Sequence, residues 1–196
     1  MSSNASFPLI LASASPRRKD LLAQINITPD KILPADINEE PFAKELPKPH
    51  AQRLALGKAT HIAKDHPNCF VLGADTVVAC GRRILPKAED EDTARKCLEL
   101  LSGRRHRIYG GLALITPTGQ EITRVICTVV QFKRLSSQEM ADYLSSKDWD
   151  GMAGGYGIQG YAAKFVKSIN GSYSNVVGLS LFDTSQILSG AGYEVS

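Results

Sequence analysis

The chain has 196 residues, 43% hydrophobic and 22% charged, which suits a globular domain with a sizeable core and excludes a disordered chain. Its 23 basic and 20 acidic side chains leave a net charge of +3, too small a surplus to argue for nucleic acid as a stable partner, so any affinity for anions must come from local clustering. No apolar run approaches the length of a membrane span, and the polar opening MSSNAS lacks a signal-peptide pattern, so the expectation is a cytoplasmic protein without a membrane partner.

In chain order, Leu9 to Ala12 predicts a short apolar strand, and Ser15-Pro16 starts a helix, with serine at the N-cap and proline at the first helical position. Leu21, Leu22 and Ile25 continue it at helical spacing. Arg17 and Arg18 then fall in the first turn, where the helix dipole disfavours cations by about 0.3–1 kcal/mol each. An anion held there with Ser13, Ser15 and the free amides of the turn would explain them; two arginines pointing into solvent is the plain alternative. Next comes a proline- and charge-rich connection in which Ile32 and Leu33 form a possible short strand. The spacing of Leu54, Leu56, Ala59 and Ile62 predicts a helix from His50 to Ala63. Cys69 to Cys80 reads as a buried strand that turns at GRR into ILP.

The segment EDEDTARKCLELLSG predicts a helix with acids in its first turn and Gly103 as terminator. HRIYGGLALIT and EITRVICTVVQF flank PTGQ as an antiparallel hairpin. Ser136 and Glu139 form a capping box for a further helix. A flexible glycine-rich loop is expected over Gly151 to Gly160, a strand over AAKFVKSI, and a last helix over GLSLFDTSQIL. Helices alternate with strands early and a hairpin follows, so a mixed sheet in an α/β domain is expected. One domain over 1–196 is expected, with residues 1–6 flexible.

Asp75 interrupts two apolar runs, FVLGA and TVVAC, where an unpaired carboxylate would be costly to bury. It needs a cation, a metal or hydrogen-bond donors, as a functional site or a structural ion pair would supply. Thr76 lies beside it. Lys87 emerges between a strand and a helix, but local context favours a surface pair with Glu89 or Asp90. Lys58 reads as an ordinary helix lysine, and Glu39 and Glu40 as loop acids able to bind metal or merely to be solvated. GYGIQG matches the dinucleotide fingerprint G-x-G-x-x-G, but no strand precedes it and no helix follows, so a nicotinamide site is not expected. Tyr156, Gln159 and Tyr161 of that loop could stack on and hydrogen-bond a base, or the tyrosines could simply pack. Cys69, Cys80, Cys97 and Cys127 lack C-x-x-C spacing, and three lie in apolar runs, so buried free thiols are expected. The four histidines make no metal-binding pair.

Six segments in sequence order resemble the Maf family of nucleotide pyrophosphatases: LASASPRRKDLL, DINEE, RLALGKA, GADTVV, PKAEDEDTARKCLELLSGRRH and GGYGIQGYAAKFVKSINGSYSNVVGLSL. The resemblance implies an α/β fold, related to the ITPase type, with an elongated, curved mixed sheet flanked by helices and a central cleft between two lobes. It implies hydrolysis of nucleoside triphosphates to the monophosphate and pyrophosphate with a divalent cation, Mg2+ or Mn2+, and a possible homodimer. On that resemblance Asp75, Lys58 and Lys87 would be catalytic, and Asp75 would act as general base or metal ligand. Glu39 would join it at the metal. Ser13, Ser15, Arg17, Arg18, Thr76 and Gln159 would bind substrate. Arg17, Thr76 and Gln159 resemble the branch acting on dTTP and UTP more than the 7-methyl-GTP branch. A nucleotide-binding regulator linked to septum formation is the alternative. The chain departs from the family pattern at Pro86-Lys87-Ala88, where glycine usually precedes the lysine, and at Gly155 and Ser180, usually alanine and proline.

Overall fold

Two strands at the centre of the molecule are apolar on both faces because both faces are covered. Leu9–Ala12 (β1) is wholly buried, and Phe70–Cys80 (β3) nearly so, in a computed structural model that describes residues 7–194. The flexibility expected of residues 1–6 lies outside the described residues. β1 pairs in parallel with β3 on one side and with Lys31–Ile32 (β2) on the other, one residue earlier than expected for that short strand. β3 turns at Gly81, whose φ of 64° suits glycine, into antiparallel Arg83–Leu85 (β4). Its other edge pairs with Arg105–Ile115 (β6), which makes the expected hairpin with Glu121–Phe132 (β7). Val166–Asn170 (β9) completes a mixed, seven-stranded sheet in the order β2-β1-β3-β6-β7-β9, with β4 on β3. Lys87–Ala88 (β5) and Met152–Ala153 (β8) form a separate two-stranded ribbon.

Among the described residues, six α-helices flank this sheet: Pro16–Gln24 (α1), Pro47–Ala63 (α2), Glu91–Leu101 (α3), Ser137–Ser146 (α4), Tyr173–Val177 (α5) and Leu181–Gly190 (α6). The capping box of Ser136 and Glu139 is present at α4. Strand alternation divides the core. Leu9, Leu11, Leu72 and Val78 face a large cluster with residues of α1, α3, α4 and α6, while Ile10, Ala12 and Val71 face α2. α2 lies unusually close to the sheet. A side chain at Gly73 would begin 2.3 Å from the Ala55 carbonyl oxygen, and one at Gly111 2.0 Å from that of Ala51. Alanines four residues apart on α2 thus ride on two glycines of adjacent strands, and this approach sets the height of everything α2 carries.

Three sequence expectations change. Residues 162–165, read as strand, belong to a 3-10 helix over Tyr161–Phe165, and β9 begins only at Val166. Alternation of apolar and polar residues over so few positions does not separate the two. The five-residue α5 lies between the expected strand and the expected last helix, where the sequence predicts no element, and that last helix begins at Leu181 instead of Gly178. All four cysteines are free thiols as expected, but only Cys97 is buried; Cys127 is exposed on β7, the sheet face that alternation leaves outward.

Candidate active site

The two arginines in the first turn of α1 have different tasks. Ser15 caps α1 by position but makes no side-chain cap bond, and its hydroxyl lines a cavity. Arg18, 8% exposed, turns inward. Its Nε donates to the Gly178 carbonyl at 3.0 Å, Nη1 to Ser13 Oγ at 2.7 Å and Nη2 to Thr76 Oγ1 at 3.3 Å. Burial lowers its pKa while the nearby Asp75 charge opposes that shift. Arg18 therefore fastens α1 to β3 and to the α5–α6 turn as well as facing the cavity. Ser13, expected to face a ligand, is buried and spends its oxygen on Arg18 and the Ser15 amide. Arg17 remains available. Its Nη1 meets only the Met152 sulfur, at 3.0 Å, and no carboxylate lies within ion-pair distance among the described residues.

Asp75 follows Gly73 by two residues and so shares the face beneath α2, whereas Thr76 faces the opposite way toward Arg18. The close approach of α2 at Gly73 brings Lys58 down onto Asp75, Nζ to Oδ1 at 2.6 Å, with both groups buried. The same ammonium reaches Glu39 Oε1 at 2.7 Å, and Lys87 Nζ reaches Glu39 Oε2 at 2.8 Å. The cation that burial of Asp75 demanded is thus Lys58. Lys87 pairs with neither Glu89 nor Asp90 but with Glu39, forty-eight positions away. Partial burial alone would raise the pKa of Glu39, but hydrogen bonds from Lys58 and Lys87 hold it down to about 2. Asp75, Lys58, Glu39 and Lys87 form one continuous alternation of charges.

What keeps Glu39 there escaped the sequence reading. Its loop is fastened by Glu45, which receives Arg53 Nε on Oε1 and Arg53 Nη2 on Oε2, both at 2.8 Å, with His50 Nδ1 at 2.8 Å. Arg53 also donates to the Glu40 carbonyl at 2.9 Å and lies over the Phe42 ring. The Arg53 hydrogen bond is the chief reason that Glu45 is held at about 2. A bidentate pair between residues eight apart was the available signal.

A cavity of about 550 Å³ is lined by Ser15, Arg17, Arg18, Lys58, Asp75 and Thr76 together with Lys87 of the ribbon. Its walls also include Val78, Ile108, Val176 and Val177, the stretch Tyr156 through Gly160, and the charged Lys147, Asp148 and Asp150. Gln159 is exposed at that wall, as the expectation of a base-reading amide requires. The two tyrosines do not stand free for stacking. Tyr156 is buried with its hydroxyl against His106, and Tyr161 packs against Tyr143 and Phe165 with the Lys164 ammonium 4.0 Å from its ring centroid. The loop is also tethered, since Gly154 donates to the Pro86 carbonyl and Gly151 to that of Ala88. A second cavity of about 540 Å³, containing Glu39, Glu40, Glu89 and His50, shares Asp75, Thr76 and Lys87 with the first.

The main cavity therefore joins a cationic cluster that suits a polyanion with apolar side chains and an exposed amide that suit a ring with a polar edge. Among the described residues, no three His, Cys, Asp or Glu side chains converge as a ready metal cage, and no helix is long and apolar enough to cross a membrane. A protein of Paramagnetospirillum magneticum named dTTP/UTP pyrophosphatase is 64% identical over 94% of this chain and 97% of its own. Proteins of the same name from Rhodospirillum rubrum and Caulobacter vibrioides are 59% and 57% identical, over 96% and 94% of this chain and 90% and 96% of theirs. The profile of the Maf-like protein family matches residues 8–191, and the chain belongs to that family.

Proposed function

We propose that this chain hydrolyses nucleoside triphosphates to the monophosphate and pyrophosphate, with dTTP and UTP as substrates. The observation that carries the reading is the meeting of Arg17, Lys58 and Lys87 with a single buried carboxylate, Asp75, on one cavity that also presents apolar side chains and the Gln159 amide. Phosphoryl chemistry rests on positioning and charge neutralisation, and these are the groups it requires. The relatives named dTTP/UTP pyrophosphatase support the choice of base, as does the presence of Arg17, Thr76 and Gln159 on one cavity.

In this mechanism the triphosphate lies along Arg17, Lys58 and Lys87, with Ser15 and the start of α1 at its edge. Lys58 has three N–H donors; two hold Glu39 and Asp75, and the third is free for a phosphate oxygen. Asp75 takes a proton from water as the water oxygen bonds to the α-phosphorus. The bond from that phosphorus to the bridging oxygen breaks, and pyrophosphate leaves. Glu39 and Asp75 fit a divalent cation, Mg2+ or Mn2+, because they converge on one ammonium and the substrate's phosphates supply further oxygen ligands. Such an ion, when bound, draws negative charge from the phosphate oxygens. A single domain and a cytoplasmic location belong to the reading on chain length and sequence pattern, and a homodimer on family resemblance.

Incubation with dTTP or UTP and Mg2+, with products separated by ion-exchange chromatography, tests it. Monophosphate and pyrophosphate in equal amounts are expected. Release of inorganic phosphate instead, or tight binding without products as for a regulator, would overturn it. Gln159→Glu replaces an amide that both donates and accepts with a group that only accepts. It is expected to lower kcat/KM for dTTP relative to dCTP by about tenfold. An unchanged ratio removes Gln159 from base recognition.

A further inference from the structure

His106 and Tyr156 are the buried polar pair that the mechanism leaves unused. His106 lies on β6 and is 1% exposed; its Nε2 is 2.7 Å from the Tyr156 hydroxyl. Its Nδ1 has no partner, although it is fully enclosed. Phe132 closes the group, with its ring 5.0 Å from the imidazole and 4.8 Å from the tyrosine, both edge-on. Burial pushes the His106 pKa down to about 4, so the imidazole is neutral in this apolar setting at ordinary pH. An orphaned buried nitrogen is costly, and a leucine or phenylalanine in its place would avoid that cost. The compensation lies in what Tyr156 carries.

Tyr156 begins the stretch that runs through Gly157 and Ile158 to Gln159, one wall of the cavity. The stretch is entered through Gly154 and Gly155, at φ of 67° and 72°, and left at Tyr161, whose amide donates to Asp148 Oδ2 at 3.0 Å. Between those anchors, the hydroxyl of Tyr156 makes the one side-chain hydrogen bond from residues 156–159 to the main sheet among the described residues. We infer that His106 is a positioning residue: by holding Tyr156 from behind, it fixes the distance between the Gln159 wall and the wall formed by Val176 and Val177, and so sets nucleotide affinity and base discrimination without touching the substrate. This rests on the proposed function and on the assignment of that wall of the cavity to the base.

Tyr156→Phe keeps the ring packing and removes the oxygen. His106→Gln keeps a nitrogen donor near Nε2, and His106→Leu removes it at similar volume. Tyr156→Phe and His106→Leu are expected to raise KM for dTTP about tenfold with kcat within about twofold, and to narrow the preference for dTTP over dCTP. His106→Gln is expected to recover most of both. Amide hydrogen exchange over residues 156–160 is expected to accelerate about tenfold in Tyr156→Phe, with α2 and β3 unchanged. Should His106→Leu fail to fold, Tyr156→Phe carries the test. Unchanged KM, preference and exchange in that variant overturn the inference, as does a fall in kcat at constant KM. The exchange measurement needs no turnover, so a wild-type protein inactive on dTTP counts against the proposed function and leaves this test standing.

Discussion

Asp75→Asn is expected to lower kcat for dTTP by about 10²–10⁴ while leaving nucleotide binding measurable. The reasoning starts from shape. Asparagine matches aspartate in size, so the close seat of α2 on Gly73 and the wall of the cavity are kept. Lys58 loses one anionic partner but retains Glu39 at 2.7 Å, and the cations that meet the phosphates stay in place. What disappears is the only group at this position able to accept a proton from water. The change should therefore fall on turnover, not on affinity. Single-turnover kinetics beside a fluorescence titration with dTTP separates the two. Activity within tenfold of wild type would mean that another group accepts the proton, and Glu39 would then be the nearest carboxylate.

Much of this site was legible from local chemistry. Asp75 stood out because a carboxylate inside eleven mostly buried residues must be paired, and Ser15-Pro16 marked a helix start that proves to border the cavity. The hairpin of β6 and β7 and the capping box at α4 were also local patterns. What the sequence withheld depends on contacts between distant segments. Nothing near Lys58 says that it meets Asp75; that follows from Ala55 and Ala51 resting on Gly73 and Gly111, a fit that appears only when helix and sheet come together. Lys87 looked like half of a short-range surface pair because its partner, Glu39, sits on an irregular loop held in place by Glu45 and Arg53. The loop tyrosines looked available for a base because sequence carries no burial at a glycine-rich turn; Phe132 packs Tyr156 into the core, and Tyr143 and Phe165 hold the partly buried Tyr161 against it. α5 is the same case. Five residues hold no period of their own, and Asn175 pins the helix through its Nδ2 to the Ile108 carbonyl and Thr128 Oγ1.

Lys58→Met should be the most damaging single change to the fold among the site residues. The ammonium is buried and lies within 2.7 Å of two carboxylates, so its removal leaves Asp75 without its ion-pair partner and Glu39 with only the half-exposed Lys87. Breaking a buried pair from one side costs about 3–5 kcal/mol, because the remaining charge has lost water and gained nothing in return. Activity is expected to vanish as well, since a phosphate donor goes with the side chain. The decisive comparison is Lys58→Met with Asp75→Asn in the same chain. Once the carboxylate is neutral, methionine no longer strands it, and the double variant should be more stable than Lys58→Met alone by about 1–3 kcal/mol in urea unfolding. Turnover should not return, because the proton acceptor is also missing. If the double variant is instead less stable than Lys58→Met, the lysine is supporting α2 by packing its methylene stem, and the charge pairing with Asp75 contributes little to the fold.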